Sequence, residues 1–245
     1  MGLVATYFGA NGWLLEFGAM RVLVDPWLRG SLSFPPGPWL LKGELPKDQA
    51  FPLDIDLILL TQGLADHAHP VTLKELPKDC SVVGSATAAQ VALQLGFSHV
   101  TPLNPGQDIT IGELRIQASA GAPVPKIENG YLIEHPEGCL YMEPHGFLDQ
   151  NLKPQPLDAV ITPIVDVGLP VLGPFLRGRT IVPELVKKFQ PKTILASTTG
   201  GDIRFTGLLS GLMTLHGSME EIARDLPANV CLVDSQVGGS YMLTS

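Results

Sequence analysis

The feature that most constrains the fold is an unbroken apolar run, Asp56–Thr61, which reads DLILLT. A strand with one face in water alternates apolar and polar residues, so a continuous run is typical of a strand that is covered on both faces. A sheet that contains such a strand needs further layers packed against each side. The segment therefore favours a layered α/β architecture.

Short strands and helices are predicted in both halves of the chain, and each half begins with antiparallel strands and returns to strand–helix units. This order predicts two mixed sheets packed face to face with helices outside, a four-layer αβ/βα sandwich of the α/β (α+β) class, built by a single domain over residues 1–245. The predicted strands are Leu3–Phe8, Trp13–Phe17, Arg21–Asp25, Asp56–Thr61, Ser81–Gly84, Ile109–Ala118, Tyr131–Glu134, Cys139–Glu143, Ala159–Thr162, Thr193–Ala196 and Val230–Asp234. The predicted helices are Pro70–Leu76, Ala86–Leu95, Val182–Phe189 and Met219–Asp225, with a further helical region before the last of them.

Two stretches rich in Pro and Gly interrupt this pattern. The first, Pro26–Pro52, carries Trp27 and Trp39, and a loop of this length in a compact domain is usually functional or part of an interface. The second, Gly168–Leu176, is apolar and contains Phe175. We expect the three aromatic residues to line a substrate pocket, with a core-covering loop as the alternative for the second stretch.

The charge balance limits the partners of the chain. It has 245 residues, with 16 Lys and Arg against 24 Asp and Glu, for a formal net charge of −8. An acidic protein lacks the positive surface that phosphate backbones and anionic lipids require, so neither nucleic acid nor membrane is expected as a partner. The longest apolar stretch of the chain, Leu157–Leu176, is broken by Asp158, Asp166 and three prolines, so it is not expected to span a bilayer. A small-molecule substrate is expected, and a homo-oligomer is left open.

The cysteines and the N-terminal segment indicate a reducing compartment. Cys80, Cys139 and Cys231 are odd in number and far apart, which argues against both a disulfide framework and a CxxC zinc site. The opening MGLVATYFGANGW lacks the basic region and cleavage site of a signal peptide. With Thr6 at the sixth position, the segment fits a loose myristoylation pattern, so lipidation is the alternative to a plain buried strand. A cytoplasmic location is expected.

Four segments resemble the metallo-β-lactamase superfamily, particularly its lactonase-like branch. RVLVDPW, at Arg21–Trp27, resembles the strand end whose aspartate braces the metal site. DLILLTQGLADHAH, at Asp56–His69, resembles the stretch that carries T-H-x-H-x-D-H in active members. Asn129–Gly146 stands where a strand pair ends in a metal-bridging aspartate, and Lys192–Asp202 where the last metal-binding histidine follows a strand. The resemblance implies the sandwich fold and a hydrolase-type pocket.

The departures from that family pattern concern its first metal subsite. Gln62 and Leu64 stand where the two leading histidines are found, and no histidine lies between Leu114 and Leu132, where the third is expected. Leucine offers no lone pair, and a neutral amide is a poor ligand for zinc. The resemblance therefore implies an empty first subsite and at most one metal ion.

The second subsite keeps more of its donors. Asp66 and His67 match the family's D-H pair, although a turn in which Asp caps a helix and His bonds to it is the alternative. His145 and Glu143 stand near the place of the bridging aspartate. The predicted metal ligands are Asp66, His67, His145 and Asp202, holding one ion of zinc, manganese or iron, and a site without metal is an equal alternative.

The predicted function is hydrolysis of a small ester, lactone or phosphoester near Asp66 and His67, with Asp66 or Glu143 as general base and with Asp25 and Gln62 supporting the site. One alternative is a silenced superfamily member that acts as a binding, regulatory or structural protein. Another is metal-free chemistry by Asp, Glu and His alone. No G-x-S-x-G, P-loop or G-x-G-x-x-G motif is present.

Overall fold

Two seven-stranded sheets face each other in the computed structural model, which describes residues 2–123, 127–170 and 173–244. Two three-stranded sheets stand beside them. The first half of the chain forms β1 (Leu3–Gly9), β2 (Gly12–Phe17), β3 (Met20–Val24), β4 (Ser31–Ser33), β5 (Lys42–Glu44), β6 (Leu57–Leu60), α1 (Pro70–Glu75), β7 (Ser81–Gly84), α2 (Ala86–Gln94), β8 (Val100–Pro102) and β9 (Asp108–Ile111). The second half forms β10 (Leu114–Pro123), β11 (Ile127–His135), β12 (Gly138–Met142), β13 (Ala159–Thr162), β14 (Asp166–Leu169), β15 (Gly173–Arg177), α3 (Gly178–Phe189), β16 (Thr193–Ala196), β17 (Arg204–Thr206), β18 (Thr214–His216), α4 (Met219–Asp225), β19 (Cys231–Val233) and β20 (Ser240–Met242).

Each large sheet combines antiparallel strands with parallel ones, as predicted. The first has the order β20-β1-β2-β3-β6-β7-β8, in which β1, β2 and β3 are antiparallel neighbours and β3, β6, β7 and β8 run parallel. The second has the order β19-β16-β13-β12-β11-β10-β9 and repeats this arrangement. All four residues of β6 are buried, which confirms the interpretation of the apolar run.

The core between the large sheets contains side chains from both. Tyr131 of β11 is fully buried there, and its hydroxyl donates to the carbonyl oxygen of Leu60 at 2.9 Å while accepting from Nδ2 of Asn129 at 3.1 Å. Because Leu60 ends β6 and Tyr131 lies in β11, this bond joins the two sheets directly. A buried carbonyl without a partner is costly, so the contact fixes how the sheets face each other.

Helices cover the outer faces of both sheets, which confirms the four-layer sandwich. Leu73 of α1 and Ala88 of α2 pack on the outer side of β6 against Ile58. Val182 of α3 and Ile222 of α4 form a corresponding cluster on the second sheet. No helix among the residues that the structure describes is long and apolar enough to span a bilayer.

Three predictions about irregular segments are wrong. Pro26–Pro52 is not loop throughout, because β4 and β5 pair within it and β17 joins them. The apolar stretch Gly168–Leu176 belongs to the hairpin of β14 and β15, apart from Val171 and Leu172, which lie outside the described residues. The helical region expected before Met219–Asp225 contains β17 and β18 instead, since Gly207, Gly211 and Gly217 interrupt its leucines and disfavour a helix.

The cysteines are free thiols, as the absence of a disulfide pattern predicted. Cys80 and Cys139 are half-buried, and burial raises the pKa of the Cys80 thiol to about 11. Cys231 is exposed.

Removing the hydroxyl that joins the sheets tests the core. We expect Tyr131→Phe to lower the free energy of unfolding by about 1–2 kcal/mol, because buried polar atoms of Leu60 and Asn129 lose a partner. Urea denaturation measures the change. Tyr241→Phe is the matched control, since its hydroxyl accepts from the exposed backbone N–H of Gln236, and it should lose less than about 0.5 kcal/mol. Equal losses in both variants would contradict this role for Tyr131.

Candidate active site

The site begins at the carboxyl ends of β3 and β6, which are parallel neighbours. Asp25 directly follows β3 in a left-handed conformation, with φ at 40°. Its buried carboxylate accepts from the backbone N–H of Thr61 at 2.8 Å and from the Thr61 hydroxyl at 2.5 Å. Parallel strands end at the same edge of a sheet, so pairing of β3 with β6 is what brings Asp25 and Thr61 together.

The buried imidazole of His67 is held from one side by this pair. Its Nδ1 lies 2.7 Å from Oδ2 of Asp25 and 2.9 Å from the Thr61 hydroxyl. Its Nε2 faces Oδ2 of Asp66 at 3.3 Å and Nδ2 of Asn11 at 3.1 Å. Nδ1 therefore has a fixed carboxylate partner, whereas Nε2 faces a donor and an acceptor and can satisfy only one of them at a time.

The ionisation of His67 and Asp66 is coupled. Burial on its own would lower the pKa of His67, but the charges of Asp66 and Asp25 outweigh burial and raise that pKa well above its usual value. Burial likewise opposes ionisation of Asp66, but the charge of His67 and its hydrogen bond lower the pKa of Asp66. Without any cation bound, the cluster thus favours an imidazolium between two carboxylates.

A second oxygen–nitrogen pair lies against the first. Oε2 of Glu128, on β11, lies 3.0 Å from Nδ1 of His145, and the rings of His145 and His67 stack with their centroids 5.4 Å apart. Burial raises the pKa of Glu128 to about 9 and lowers the pKa of His145. Both groups are therefore neutral near pH 7 in the absence of a cation.

The turn that carries His145 is held by Glu143. The two carboxylate oxygens of Glu143 accept from the backbone N–H groups of Ala122 at 3.3 Å, His145 at 3.1 Å and Phe147 at 2.5 Å. Burial raises the pKa of Glu143, and the three backbone donors fix the direction of its side chain. Glu143, which was predicted as a general base, therefore positions the turn that carries His145.

Several polar atoms in this cluster lack hydrogen-bond partners among the described residues although they are buried. Buried polar groups are nearly always hydrogen-bonded, so their concentration here indicates a place that receives a polar or charged ligand. These atoms are Oδ1 of Asn11, Nε2 of Gln62, Oδ1 of Asp66, both carboxylate oxygens of Glu128 and Nδ1 of His145. Oε2 of Glu128 and Nδ1 of His145 are 3.0 Å apart, but their contact does not have hydrogen-bond geometry.

A cavity of about 390 Å³ adjoins the cluster at His145. Its volume is within the range of small-molecule sites. Phe175, one of the three aromatic residues predicted to line a substrate pocket, lines this cavity. Trp27 does not, because its ring is buried in a core cluster with Ala10. The lining residues are Ala122, Pro123, His145, Gly146, Phe147, Leu169, Gly173, Pro174, Phe175 and Arg177.

Two further predicted site residues lie away from this cavity. Trp39 is 62% exposed and is not among its lining residues. Asp202 is exposed and lines a separate cavity with Glu44 and Arg204, because the pairing of β17 with β5 draws its segment toward the small sheet. No hydrogen bond or ion pair joins it to the other predicted ligands in the described parts of the chain, so the structure does not bring Asp202 together with them.

Glu128 and Asn11 were not predicted from the sequence. No histidine lies between Leu114 and Leu132, but a single carboxylate does stand in the apolar run IENGYLI. A carboxylate in a buried strand needs a partner, so its presence there could have indicated a functional residue. His69 caps the start of α1, since its ring accepts from the Thr72 backbone N–H at 3.3 Å.

The possible metal donors form two pairs. Asp66 lies next to His67, and Glu128 lies next to His145. Among the described residues, no three His, Cys, Asp or Glu side chains are arranged around a common point that could hold a metal ion. A cation would therefore have to draw the two pairs together.

Comparison with known families and structures agrees with the fold. A family model described as a beta-lactamase superfamily domain matches residues 5–197. A UPF0173 protein of Pyrococcus furiosus is 32% identical over 81 residues, which are 33% of this chain and 39% of that protein. The aligned part thus spans about two fifths of that relative.

Two solved structures resemble the whole chain. An isothiocyanate hydrolase from Delia radicum gut bacteria has a TM-score of 0.69 at 15% identity, covering 98% of this chain and 99% of that one. A possible metal-dependent hydrolase from Veillonella parvula has a TM-score of 0.67 at 12% identity, covering 99% of each chain. At these identities the likeness concerns the fold.

The buried carboxyl of Glu128 should make the stability of the protein depend on pH, and this can be measured after treatment with a chelator. Its folded pKa of about 9 lies above the ordinary glutamate value of about 4.3, so the unfolded chain releases this proton first as the pH rises. Its contribution to stability is present below the unfolded pKa and is lost as the pH rises toward 9. Compared with wild type, Glu128→Gln should lose less stability between pH 5 and 9 in urea titrations.

The control for this test is Glu134→Gln on the same strand. Glu134 is partly exposed and pairs with Arg115. Its variant should follow the wild-type pH profile. Parallel profiles for wild type and Glu128→Gln would contradict the buried, protonated state of Glu128.

Proposed function

This chain belongs to the beta-lactamase superfamily and has the fold of its metal-dependent hydrolases, and from that premise we propose that it hydrolyses a small ester or lactone with one divalent cation. The cation would be zinc, manganese or iron. The substrate would occupy the cavity next to His145, and the cation would lie between the two oxygen–nitrogen pairs.

The spacing and the missing partners of the donors carry this proposal. The two pairs have internal separations of 3.3 Å, for Asp66 and His67, and 3.0 Å, for Glu128 and His145. Ligands about 2.0–2.1 Å from a tetrahedral ion lie roughly 3.3 Å apart, so each pair is spaced like two neighbouring ligands. Three of these four residues also have buried atoms without hydrogen-bond partners within the described part of the chain, and a cation would satisfy those of Glu128 and His145.

The partner of His67 supports the same arrangement. In metal sites the ring nitrogen that does not bind the ion usually donates to a carboxylate, which fixes the ring and its tautomer. Asp25 stands in that place at Nδ1, and Thr61 holds the other side of the Asp25 carboxylate. Nε2 would then be the nitrogen offered to the cation.

A second cation has no equivalent support. Gln62 and Leu64 occupy the positions of the two leading histidines in the family pattern, and the buried Gln62 amide offers at most a weak oxygen donor. The donors that remain amount to one mixed oxygen and nitrogen set, which favours a single ion.

Several residues of this chain would prepare the site for hydrolysis. Glu143 holds the His145 turn, and Asp25 with Thr61 holds the His67 ring. The apolar cavity walls would take the organic part of the substrate and exclude bulk water. Oδ1 of Asp66, which is buried without a partner, would receive the proton of the attacking water. The cation, when bound, would lower the pKa of that water and polarise the substrate carbonyl.

A silenced binding protein is the second candidate. The observations that favour it are the replacement of two histidines by Gln62 and Leu64 and the absence of three converging metal ligands among the described residues. Such a protein would keep the cavity and bind a small molecule without turnover.

Metal analysis separates the two candidates. Protein purified without chelator or added metal should contain close to one zinc, manganese or iron ion per chain by elemental mass spectrometry. His145→Ala should lose most of this content, while His99→Ala, at an exposed histidine away from the cluster, should retain it. Two ions per chain, or none after incubation with each metal, would overturn the proposed site.

Hydrolysis of short-chain p-nitrophenyl esters and of γ- and δ-lactones tests the activity. We expect turnover that a chelator removes and one of the three metals restores. Glu128→Gln should lower kcat/KM by about 10–100-fold, the range seen when the support of a metal ligand is lost. Glu134→Gln should leave kcat/KM unchanged. Turnover that is indifferent to chelator and to Glu128→Gln would rule out the metal mechanism, and no turnover in fully metal-loaded protein would favour the silenced binding protein.

A further inference from the structure

The cavity beside His145 has a distinct chemical character. Its walls are mostly apolar, formed by side chains such as Phe147, Leu169 and Phe175. Among the described residues that line it there is no carboxylate, and Arg177 is the one with a formally cationic side chain. In a protein with a net charge of −8, a cavity with an arginine and no acidic lining residue is electrostatically unusual.

The backbone fixes Arg177 next to the site. Its N–H donates to the carbonyl oxygen of His145 at 3.0 Å, and the following Gly178 donates to Val165 at 3.1 Å. The chain passes so close to the His145 turn that a Cβ on Gly146 would lie 2.7 Å from the Arg177 carbonyl carbon. The start of the arginine side chain is therefore held at a constant distance from His145.

The guanidinium of Arg177 is free to bind a ligand. Other arginines are engaged in ion pairs, including Arg179 with Glu221 at 2.7 Å and Arg204 with Glu44. Among the described residues, no hydrogen bond or ion pair holds the Arg177 side chain. An unpaired guanidinium presents a planar fork of donors that matches a carboxylate with two parallel hydrogen bonds.

We propose that Arg177 determines substrate specificity by binding a carboxylate on the substrate, so that the protein acts on small esters or lactones with an apolar body and one free carboxylate. This inference rests on the proposed function and names its substrate class. The apolar walls would bind the body of the molecule. One guanidinium balances one negative charge, which favours a carboxylate over a doubly charged phosphate.

Binding experiments without turnover test this inference first. The probes are 4-phenylbutyrate, its neutral counterpart 4-phenylbutyramide, and phenyl phosphate, each titrated by calorimetry or by ligand-detected NMR. Wild type should bind the carboxylate about tenfold or more tightly than the amide, as expected for a charge-assisted hydrogen bond, and more tightly than the phosphate. Arg177→Met should bind the acid and the amide equally.

Two further variants control for general charge effects. Arg179→Met removes a positive charge two residues away that does not line the cavity, and it should keep the wild-type preference. Arg177→Lys keeps the charge without the planar fork and should retain part of the preference. Urea denaturation of each variant checks that it is folded.

A kinetic comparison extends the test to the reaction. Mono-p-nitrophenyl adipate carries a free carboxylate, and p-nitrophenyl hexanoate is a neutral ester of similar length. Arg177→Met should raise KM about tenfold for the adipate and leave KM for the hexanoate unchanged, with kcat similar for both.

The outcomes separate this inference from the proposed function. Equal binding of acid and amide by wild type, tighter binding of the phosphate, a preference that survives in Arg177→Met, or an equal loss in Arg179→Met would overturn the role of Arg177 even if esters are hydrolysed. A carboxylate preference that depends on Arg177, found in a protein without turnover, would uphold Arg177 as the carboxylate-binding residue while the hydrolase proposal fails.

Discussion

The parallel pairing of β3 with β6 is the constraint on which the rest of the site depends. It sets Val24 opposite Leu59, so that Asp25 emerges beside Thr61 at the shared carboxyl edge. The two hydrogen bonds from Thr61 then orient the Asp25 carboxylate toward His67. Because all three groups are buried, a shift of one residue in this pairing would leave a charge without a partner, which is far more costly than a lost surface contact.

Features encoded in short segments could be predicted from the sequence. The apolar run of β6, the alternation in the antiparallel strands and the Pro at the start of α1 each follow from local patterns, and they were sufficient for the layered fold. The segments of β4, β5, β17 and β18 were not predicted. Two of their pairings are long-range, since β17 pairs with β5 up to 164 positions away and β18 pairs with β14 up to 50 positions away. Each of these strands is only three residues long, so its local sequence carries little signal and the tertiary partner makes it a strand.

In the candidate site, too, the residues that are close in sequence could be predicted, and those brought in by long-range contacts could not. Asp66 and His67 are neighbours in sequence on one tight turn, so their proximity could be expected from the motif alone. Glu128 reaches the cluster only because β11 faces β6 across the core, a relation fixed by long-range contacts such as Tyr131 to Leu60. Asp202 also depends on a long-range contact. Its position after β16 matched the family pattern, but the pairing of β17 with β5 places it beside the small sheet, away from the cluster.

The balance of charge in the cluster supports the proposal of a single cation. Without metal, the raised pKa values of His67 and Glu128 leave a proton on each of these groups near pH 7. A divalent ion that displaced both protons would leave the net charge of the cluster unchanged, so its binding would carry no net charging cost in the buried site. Gln62 and Leu64, which stand where the family pattern has two histidines, are neutral and supply no negative charge to balance a second divalent ion.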